Sequence, residues 1–502
     1  MITVLLSKAE FEYDIHSLIK AFYPAEDVYV ADHAKEKEHV KYHMTVDFEP
    51  AQILIKFFKM KPEAEAVQTE ASQCGETEAA QISIPIADYE DRKETKNALK
   101  RGLYQMLSGY TKQQLPWGNL TGIRPTKIPM NLLEEGKDEA EITQYMKETY
   151  FASDEKIKLS IDIAKRELEL LHKLDYENGY SLYIGIPFCP TTCLYCSFTS
   201  YSLAAWKNRV DDYLTALEKE IDFTAVKFAH KKLNTIYIGG GTPTTLSASQ
   251  LDRLIRKIKC SFDLSNLVEF TVEAGRPDSI TREKLLVLRQ HGISRISINP
   301  QTMKQETLDL IGRHHTVEQT IESFHMAREL GFDNINMDLI VGLPGESLTD
   351  VADTMEVLRG LDPDNITVHS LAIKRAARLN IYKDLYQQFQ IVNTKEHIDL
   401  TAKVAQEMGL SPYYLYRQKN MAGNFENVGY AKPGKAGVYN VLIMEEKQTI
   451  MALGAGATTK FVFEHATRME RTENVKDITN YLARTDEMID RKVKKMEEIS
   501  WH

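Results

Sequence analysis

Cysteine is scarce in this 502-residue chain, with only Cys74, Cys189, Cys193, Cys196 and Cys260. So few thiols in so long a chain exclude a disulfide framework, which belongs to short, cysteine-dense scaffolds. Excess positive charge is also lacking: 62 Lys+Arg stand against 72 Asp+Glu, a formal net charge of −10. A generally basic surface for coating nucleic acid is therefore excluded, while a local basic pocket is not. No run approaches the roughly 18 apolar residues of a membrane span, and the opening MITVLLSKAEFEY has too short an apolar run for a signal peptide. The cytoplasm is the expected compartment. What remains is ordinary, with 43% hydrophobic and 27% charged residues, the composition of a folded chain rather than a disordered or fibrous one. At about 150 residues per domain it should hold two to four folding units.

The first 60 residues mix strand and helix patterns: ITVLL, the amphipathic FEYDIHSLIKAFY, then EHVKYHMTVDF and AQILIKFF with alternating faces. They predict a small α+β unit. Residues 61–80, KPEAEAVQTEASQCGETEAA, have no large aliphatic run and predict a mobile loop that carries Cys74. From residue 181 short apolar runs alternate with amphipathic stretches. Strands are predicted at 181–187, 234–240, 268–274, 293–299, 334–342 and 365–373, and helices at 208–230, 247–262, 281–291, 317–330 and 348–358. Six β/α units in a row predict an α/β fold with a parallel sheet, open or curled into a partial barrel, whose chemistry sits at the carboxyl ends of the strands. Beyond about residue 374 the alternation decays into a Gly- and Tyr-rich stretch and MALGAGATTKF, read as a smaller domain over the mouth of the sheet. The closing RKVKKMEEISWH reads as a solvated helix.

Three of the five cysteines fall in GIPFCPTTCLYCSF, a CxxxCxxC loop after the first of these strands. Three thiolates within eight residues can wrap one corner of a 4Fe-4S cluster and leave one iron without a protein ligand, whereas structural zinc wants four ligands. A zinc site completed by a histidine, or three buried structural thiols, are the other readings. Cys74, in an acidic loop-like stretch, and Cys260, in a helical one, are expected not to be ligands.

YIGIPFC, GGGTPT, VEA, DLIVGLP and LGAGA follow one another as they do in oxygen-independent coproporphyrinogen III oxidases (coproporphyrinogen dehydrogenases). Over roughly residues 180–460 the chain resembles that radical S-adenosylmethionine (SAM) family, and it looks closest to the HemZ-like branch. The resemblance implies a partial (β/α)6 radical-SAM barrel over 176–400. It is preceded by an α+β domain over 1–175, to which no chemistry attaches, and followed by a small substrate-covering domain over 401–502. It implies Cys189, Cys193 and Cys196 as ligands of a 4Fe-4S cluster whose open iron chelates SAM. Tyr183, Tyr195, Gly240, Gly241, Thr242 and Glu273 become SAM contacts, with Gly239 in the same glycine motif. Gln301, Arg313, Asp338 and Ala372 match contacts to a second SAM. Read without the resemblance, Glu273 could instead form a surface pair with Arg276.

The implied reaction is oxidative decarboxylation of two propionates of coproporphyrinogen III to vinyl groups, giving protoporphyrinogen IX, with an electron donor such as flavodoxin or ferredoxin and no nucleic-acid partner. A substrate with several carboxylates needs cations, for which Arg313, Arg417, Lys419 and Lys432 are candidates. One departure stands out: Phe198 occupies the place of a fourth cysteine, CxxxCxxCxC, as in the haem-chaperone relatives. That keeps a haem chaperone as a competing reading, with His314, His315, His369 and His465 as candidate axial ligands. A radical SAM enzyme acting on tRNA is a third, disfavoured by the net charge.

Overall fold

The computed structural model describes residues 1–33, 39–60, 76–372, 377–381, 390–418, 425–463 and 466–498. Contacts divide the chain into two compact units, Met1–Ile161 and Asp162–His502. The division falls inside the helix Asp154–Leu171, ahead of the boundary expected near residue 175, and there is no second cut near residue 400.

The first unit is built on β1 (Ile2–Leu6), β2 (Val28–Ala31), β3 (Tyr42–Glu49), β4 (Gln52–Met60) and β5 (Glu76–Pro85), in the order β2-β1-β3-β4-β5. Alternation along β3 and β4 turns Met44, Val46, Ile53, Ile55 and Phe57 inward, where the helices Glu12–Phe22 and Arg92–Thr111 complete the core. Residues 76–80, expected to be loop, belong to β5. They pair with β4, and Ala79 and Ala80 pack on the core, so tertiary pairing overrides their polar composition. Residues 61–75, with Cys74, lie outside the described residues.

In the second unit, β6 (Gly179–Ile186) runs into the short β7 (Phe188–Cys189), which pairs with β8 (Tyr201–Ser202). Then come β9 (Lys232–Gly240), β10 (Glu269–Gly275), β11 (Arg295–Ile298), β12 (Ile335–Val341) and β13 (Asn365–Ser370). β6-β9-β10-β11-β12-β13 is the expected parallel array of six. Side chains of Ser247, Thr281, Thr316 and Ser347 each accept the N3 amide of the helix that follows, which fixes where four crossover helices begin. The C-terminal hundred residues extend the same sheet. β14 (Ser411–Tyr416) and β15 (Asn427–Ala431) join antiparallel beyond β13, while β16 (Thr449–Leu453), β17 (Thr458–Phe463) and β18 (Arg468–Glu473) continue from β6. Among the described residues no helix is long and apolar enough to cross a membrane.

The last helix, Thr485–Glu498, is not solvated all round as expected. Lys492 is fully buried, and its Nζ donates to Glu220 Oε1 at 2.5 Å and to the Ala452 carbonyl at 2.8 Å. Glu220 also accepts from Tyr481 Oη, Asn474 Nδ2 and the Gly454 amide. Burial works to raise its pKa, but Lys492 and these donors outweigh it and keep the carboxyl ionised. The helix is thereby tied to the Gly454–Ala457 turn at the end of β16. Lys492→Met should lower unfolding stability by about 3–5 kcal/mol, because it strands a buried carboxylate; chemical denaturation of the chain measures this.

Candidate functional site

The carboxyl ends of the parallel strands meet at one cavity of about 700 Å³. Every residue assigned above to the cluster or to SAM lines it: Cys189, Cys193 and Cys196 with Tyr183 and Tyr195, the Gly240, Gly241 and Thr242 turn with Glu273, and Gln301, Arg313, Asp338 and Ala372. Gly239 lies behind this lining, where a Cβ would come within 3.0 Å of Glu273 Oε2.

The cysteine loop is clasped from two sides. Thr191 Oγ1 donates to the Gly312 carbonyl at 2.8 Å, and the Leu194 amide to the Ile311 carbonyl at 2.9 Å. From the other side Arg276, only 3% exposed, donates through Nη1 to the Thr191 carbonyl at 3.0 Å and to Thr191 Oγ1 at 2.7 Å, and lies 3.9 Å from Cys193 Sγ. Its remaining edge forks onto Asp278 at 3.0 and 2.6 Å. Arg276 is therefore not the surface partner of Glu273. The sheet register shifts between Glu273 and Gly275, and the two side chains leave β10 toward different partners.

The thiols are enclosed. Burial pushes Cys189 up to about 11, against a hydrogen bond from Thr242 Oγ1 at 3.5 Å, and also raises Cys196. The Arg313 guanidinium lies beside Cys193 and Tyr195, and both groups favour its charged form. A thiol-only donor set flanked by two guanidinium groups suits a cluster bound by thiolates, which carries net negative charge. Among the described residues no three His, Cys, Asp or Glu are grouped to hold a single metal ion. Cys260 is exposed on the helix Ala248–Ser261.

The glycine turn explains itself sterically. Gly240 has φ of +110°, which few L-residues tolerate, and a Cβ on Gly241 would meet the Phe188 carbonyl at 2.6 Å and Cys189 Sγ at 3.0 Å. The bare backbone leaves room for a ligand beside the cysteines. Below it, Glu273 accepts from Tyr237 Oη; burial nevertheless pushes its carboxyl up to about 7. Tyr183, Tyr237 and Tyr439 stack along this wall, with 4.5 Å between the rings of the last two.

On the opposite wall Asn336 Nδ2 donates to Asp338 Oδ1 at 2.7 Å, and His369 Nε2 stands 3.9 Å from Asp338 Oδ2. Asp338 is packed in protein yet shows 21% of its side chain, the part facing the cavity. Burial works to raise its pKa, but His369, Asn336 and Thr367 outweigh it and hold the carboxyl below the usual range. Gln301 adopts φ of +68°, its amide donates to the Asp338 carbonyl at 2.9 Å, and its buried Oε1 has no partner. A non-glycine residue held left-handed with an unsatisfied acceptor marks a position kept for a ligand. These features fit SAM and a cluster.

The structure corrects several candidates. Arg417 and Lys432 do not line the cavity, Lys432 being paired with Asp362 at 2.8 Å, and Lys419 and His465 lie outside the described residues. His315 is fully buried with both ring nitrogens unpartnered, and burial lowers its pKa to about 4; it cannot reach a haem in the cavity, and His314 does not line it. Of the candidate histidines among the described residues, only His369 faces the cavity, with Tyr416 Oη 3.3 Å from its Nδ1. Phe198 stands at the cavity with 71% exposure. Sequence reasoning missed Arg276, Arg295, Tyr237 and Tyr439, all of which line it.

Residues 183–358 match the family model described as the Radical SAM superfamily. The chain is 42% identical over 422 residues, 83% of its length and 84% of the relative's, to the oxygen-independent coproporphyrinogen-III oxidase-like protein HemZ of Bacillus subtilis. It is 36% identical over 284 residues to the haem chaperone HemW of the same organism, covering 55% of this chain and 70% of that one. Among solved structures, coproporphyrinogen III oxidase (HemN) from Escherichia coli, a radical SAM enzyme, superposes with a TM-score of 0.50 at 24% identity, over 64% of this chain and 72% of that one.

Proposed function

The chain belongs to the radical SAM family, within its branch of oxygen-independent coproporphyrinogen-III oxidase-like proteins, and on that premise we propose that it oxidatively decarboxylates propionates of coproporphyrinogen III to vinyl groups. Its cofactors are a 4Fe-4S cluster and SAM. Bound in this cavity, they would supply the one-electron chemistry that takes a hydrogen from the propionate β carbon, with carbon dioxide lost and one further electron passed to an external one-electron acceptor.

The chain's own residues do the positioning. Cys189, Cys193 and Cys196 hold the cluster, in a loop that Arg276 and the Ile311–Gly312 carbonyls fix from either side. The Gly240–Gly241 backbone receives the methionine end of SAM where no side chain fits. Tyr183 and Tyr237 close the wall beside it, with Tyr237 orienting Glu273 by its hydroxyl. Gln301, Arg313 and Asp338, with Ala372, form a second set of contacts, and we assign them to a second SAM. The observation that carries this reading is the convergence of both sets on one cavity large enough for more than one small molecule. Reconstituted protein incubated without oxygen with dithionite, SAM and coproporphyrinogen III should yield products lighter by carbon dioxide and two hydrogens per propionate, read by mass spectrometry. An electron donor such as flavodoxin or ferredoxin would replace dithionite in the cytoplasm.

SAM affinity should depend on pH through Glu273. Its carboxyl is neutral below about 7 and ionised above. SAM carries a sulfonium and an ammonium, so the ionised form favours it. Affinity should fall as pH drops below 7, by up to about tenfold per unit, and Glu273→Gln should flatten that slope; equilibrium binding at several pH values measures it.

A haem chaperone is the second reading. Phe198, exposed at the cavity where a fourth cysteine would stand, is the observation in its favour, together with the likeness to HemW.

A further inference from the structure

The geometry points to a carboxylate-binding subsite at the deep end of the cavity, built on Arg295; this deepens the tetrapyrrole reading and rests on it. Arg295 opens β11, and with Ser297 and Asn299 its side chain takes the inward positions of that strand. It lines the cavity while being only 1% exposed. Its Nε and Nη2 are sealed in protein with no partner, which leaves Nη1 for a ligand. Two acids stand near it without hydrogen-bonding it, and both are committed elsewhere: Glu269 Oε1 accepts from Thr271 Oγ1 at 2.9 Å and Oε2 from the Val438 amide at 2.5 Å, and Glu273 accepts from Tyr237 Oη. A buried guanidinium that hydrogen-bonds to nothing leaves its donors unsatisfied, a cost that an anionic ligand at Nη1 would relieve.

Among the described residues, the other cations that line the cavity are spoken for. Arg276 holds Asp278 and the cysteine loop, Arg313 holds the Asn299 carbonyl at 2.5 Å, and Lys460 lies 3.2 Å from Glu446. Arg295 alone has charge and no acceptor. The helix Val438–Glu445 forms the floor around it: Asn440 Nδ2 donates to Tyr413 Oη at 3.0 Å, and a Cβ on Gly437 would sit 3.3 Å from Arg295 Cζ, so the floor is shaped to the guanidinium.

Position along the strand selects the ligand. Arg295 precedes Asn299, whose carbonyl holds Arg313 beside Cys193, by four residues, or roughly 13 Å of strand. SAM has a single carboxylate; that of the first SAM would go to the open iron, and a second SAM would lie among Gln301, Arg313 and Asp338, with Arg313 beside Cys193 rather than at Arg295. A carboxylate this far below the cysteines belongs instead to a molecule with several acids spread around a wide frame, which is what a tetrapyrrole carrying four propionates presents.

The test titrates cluster-loaded protein, without oxygen, with coproporphyrin III, with its tetramethyl ester and with SAM, following fluorescence or absorbance. Arg295→Met should weaken coproporphyrin III at least about tenfold, the scale of one charge-assisted hydrogen bond. It should leave the ester and SAM unchanged, and Arg295→Lys should recover part of the loss. Wild-type protein should itself prefer the free acid to the ester, a comparison that needs no variant to fold. Equal affinity of Arg295→Met and wild type for the free acid would overturn the subsite alone. Weakened SAM with unchanged coproporphyrin III would assign the carboxylate to SAM and overturn the tetrapyrrole assignment. Wild-type protein that binds neither porphyrin would overturn the reading on which the subsite rests.

Discussion

Cys193→Ala should strip the protein of its cluster, taking iron and acid-labile sulfide from about four each per chain to near zero. The expectation rests on how the loop is built. Leu194 and Thr191 fasten the backbone to the Ile311 and Gly312 carbonyls, and Arg276 grips the Thr191 carbonyl and hydroxyl, none of which uses a thiol. The variant should thus fold, with an unchanged far-ultraviolet circular dichroism spectrum, and present two thiols where three are required. Arg276 and Arg313 would still flank the emptied position with two guanidinium groups, which opposes repair by a stray cation. Cys260→Ser, on an exposed helix, should retain full iron. A colourless, zinc-loaded wild-type protein prepared without oxygen would overturn the cluster assignment.

The features legible from sequence were those whose signal is local. CxxxCxxC declares itself by spacing, GGG by the absence of side chains, and Asp338 by being an acid in an apolar strand, and all line the cavity. Arg295 carries the same kind of signal as Asp338, a charge inside ISRISIN. It goes unseen only when the in-and-out alternation of that strand is not applied to it. Arg276 is different, because its partner could not be read. Three residues from Glu273 it looks like a surface pair, yet Glu273 takes Tyr237 while Arg276, just past the end of β10, turns to the cysteine loop. The C-terminal hundred residues were harder still. β14 to β18 complete the two flanks of a sheet begun more than two hundred residues earlier, and Lys492 finds Glu220 across 272 positions. Mixed charge at helical spacing does not reveal a buried ion pair, since the pairing is a property of packing and not of the helix.

Enzyme and chaperone part company at Asp338. If the protein transforms a porphyrinogen, Asp338→Ala should reduce vinyl formation at least about a hundredfold, the scale of lost positioning, while iron and sulfide stay at wild-type levels. The carboxylate organises one wall of the cavity: Asn336 donates to it at 2.7 Å, His369 approaches it at 3.9 Å, and Tyr416 stands behind His369. Removing it takes from His369 its acidic neighbour while Asn336 stays held by Ser297 and Thr367, and it takes away the acid that Gln301 and Arg313 complement in the second set of contacts. The Gln301 amide bond to the Asp338 carbonyl is made by backbone and survives the change, so the strained turn at Gln301 should persist. The cysteine loop draws nothing from Asp338, which is why the cluster should be untouched. A chaperone predicts the opposite pattern: stoichiometric haem binding and no vinyl product even from wild type, with Phe198 at the cavity as the surface a flat ligand would meet. The balance favours the enzyme, because an acid, an amide with an unpartnered oxygen and a buried guanidinium, the set we assign to a second SAM, converge on one wall, and delivery of haem requires no second SAM. Wild-type protein that cleaves SAM, binds haem tightly and leaves coproporphyrinogen III unchanged would reverse that choice.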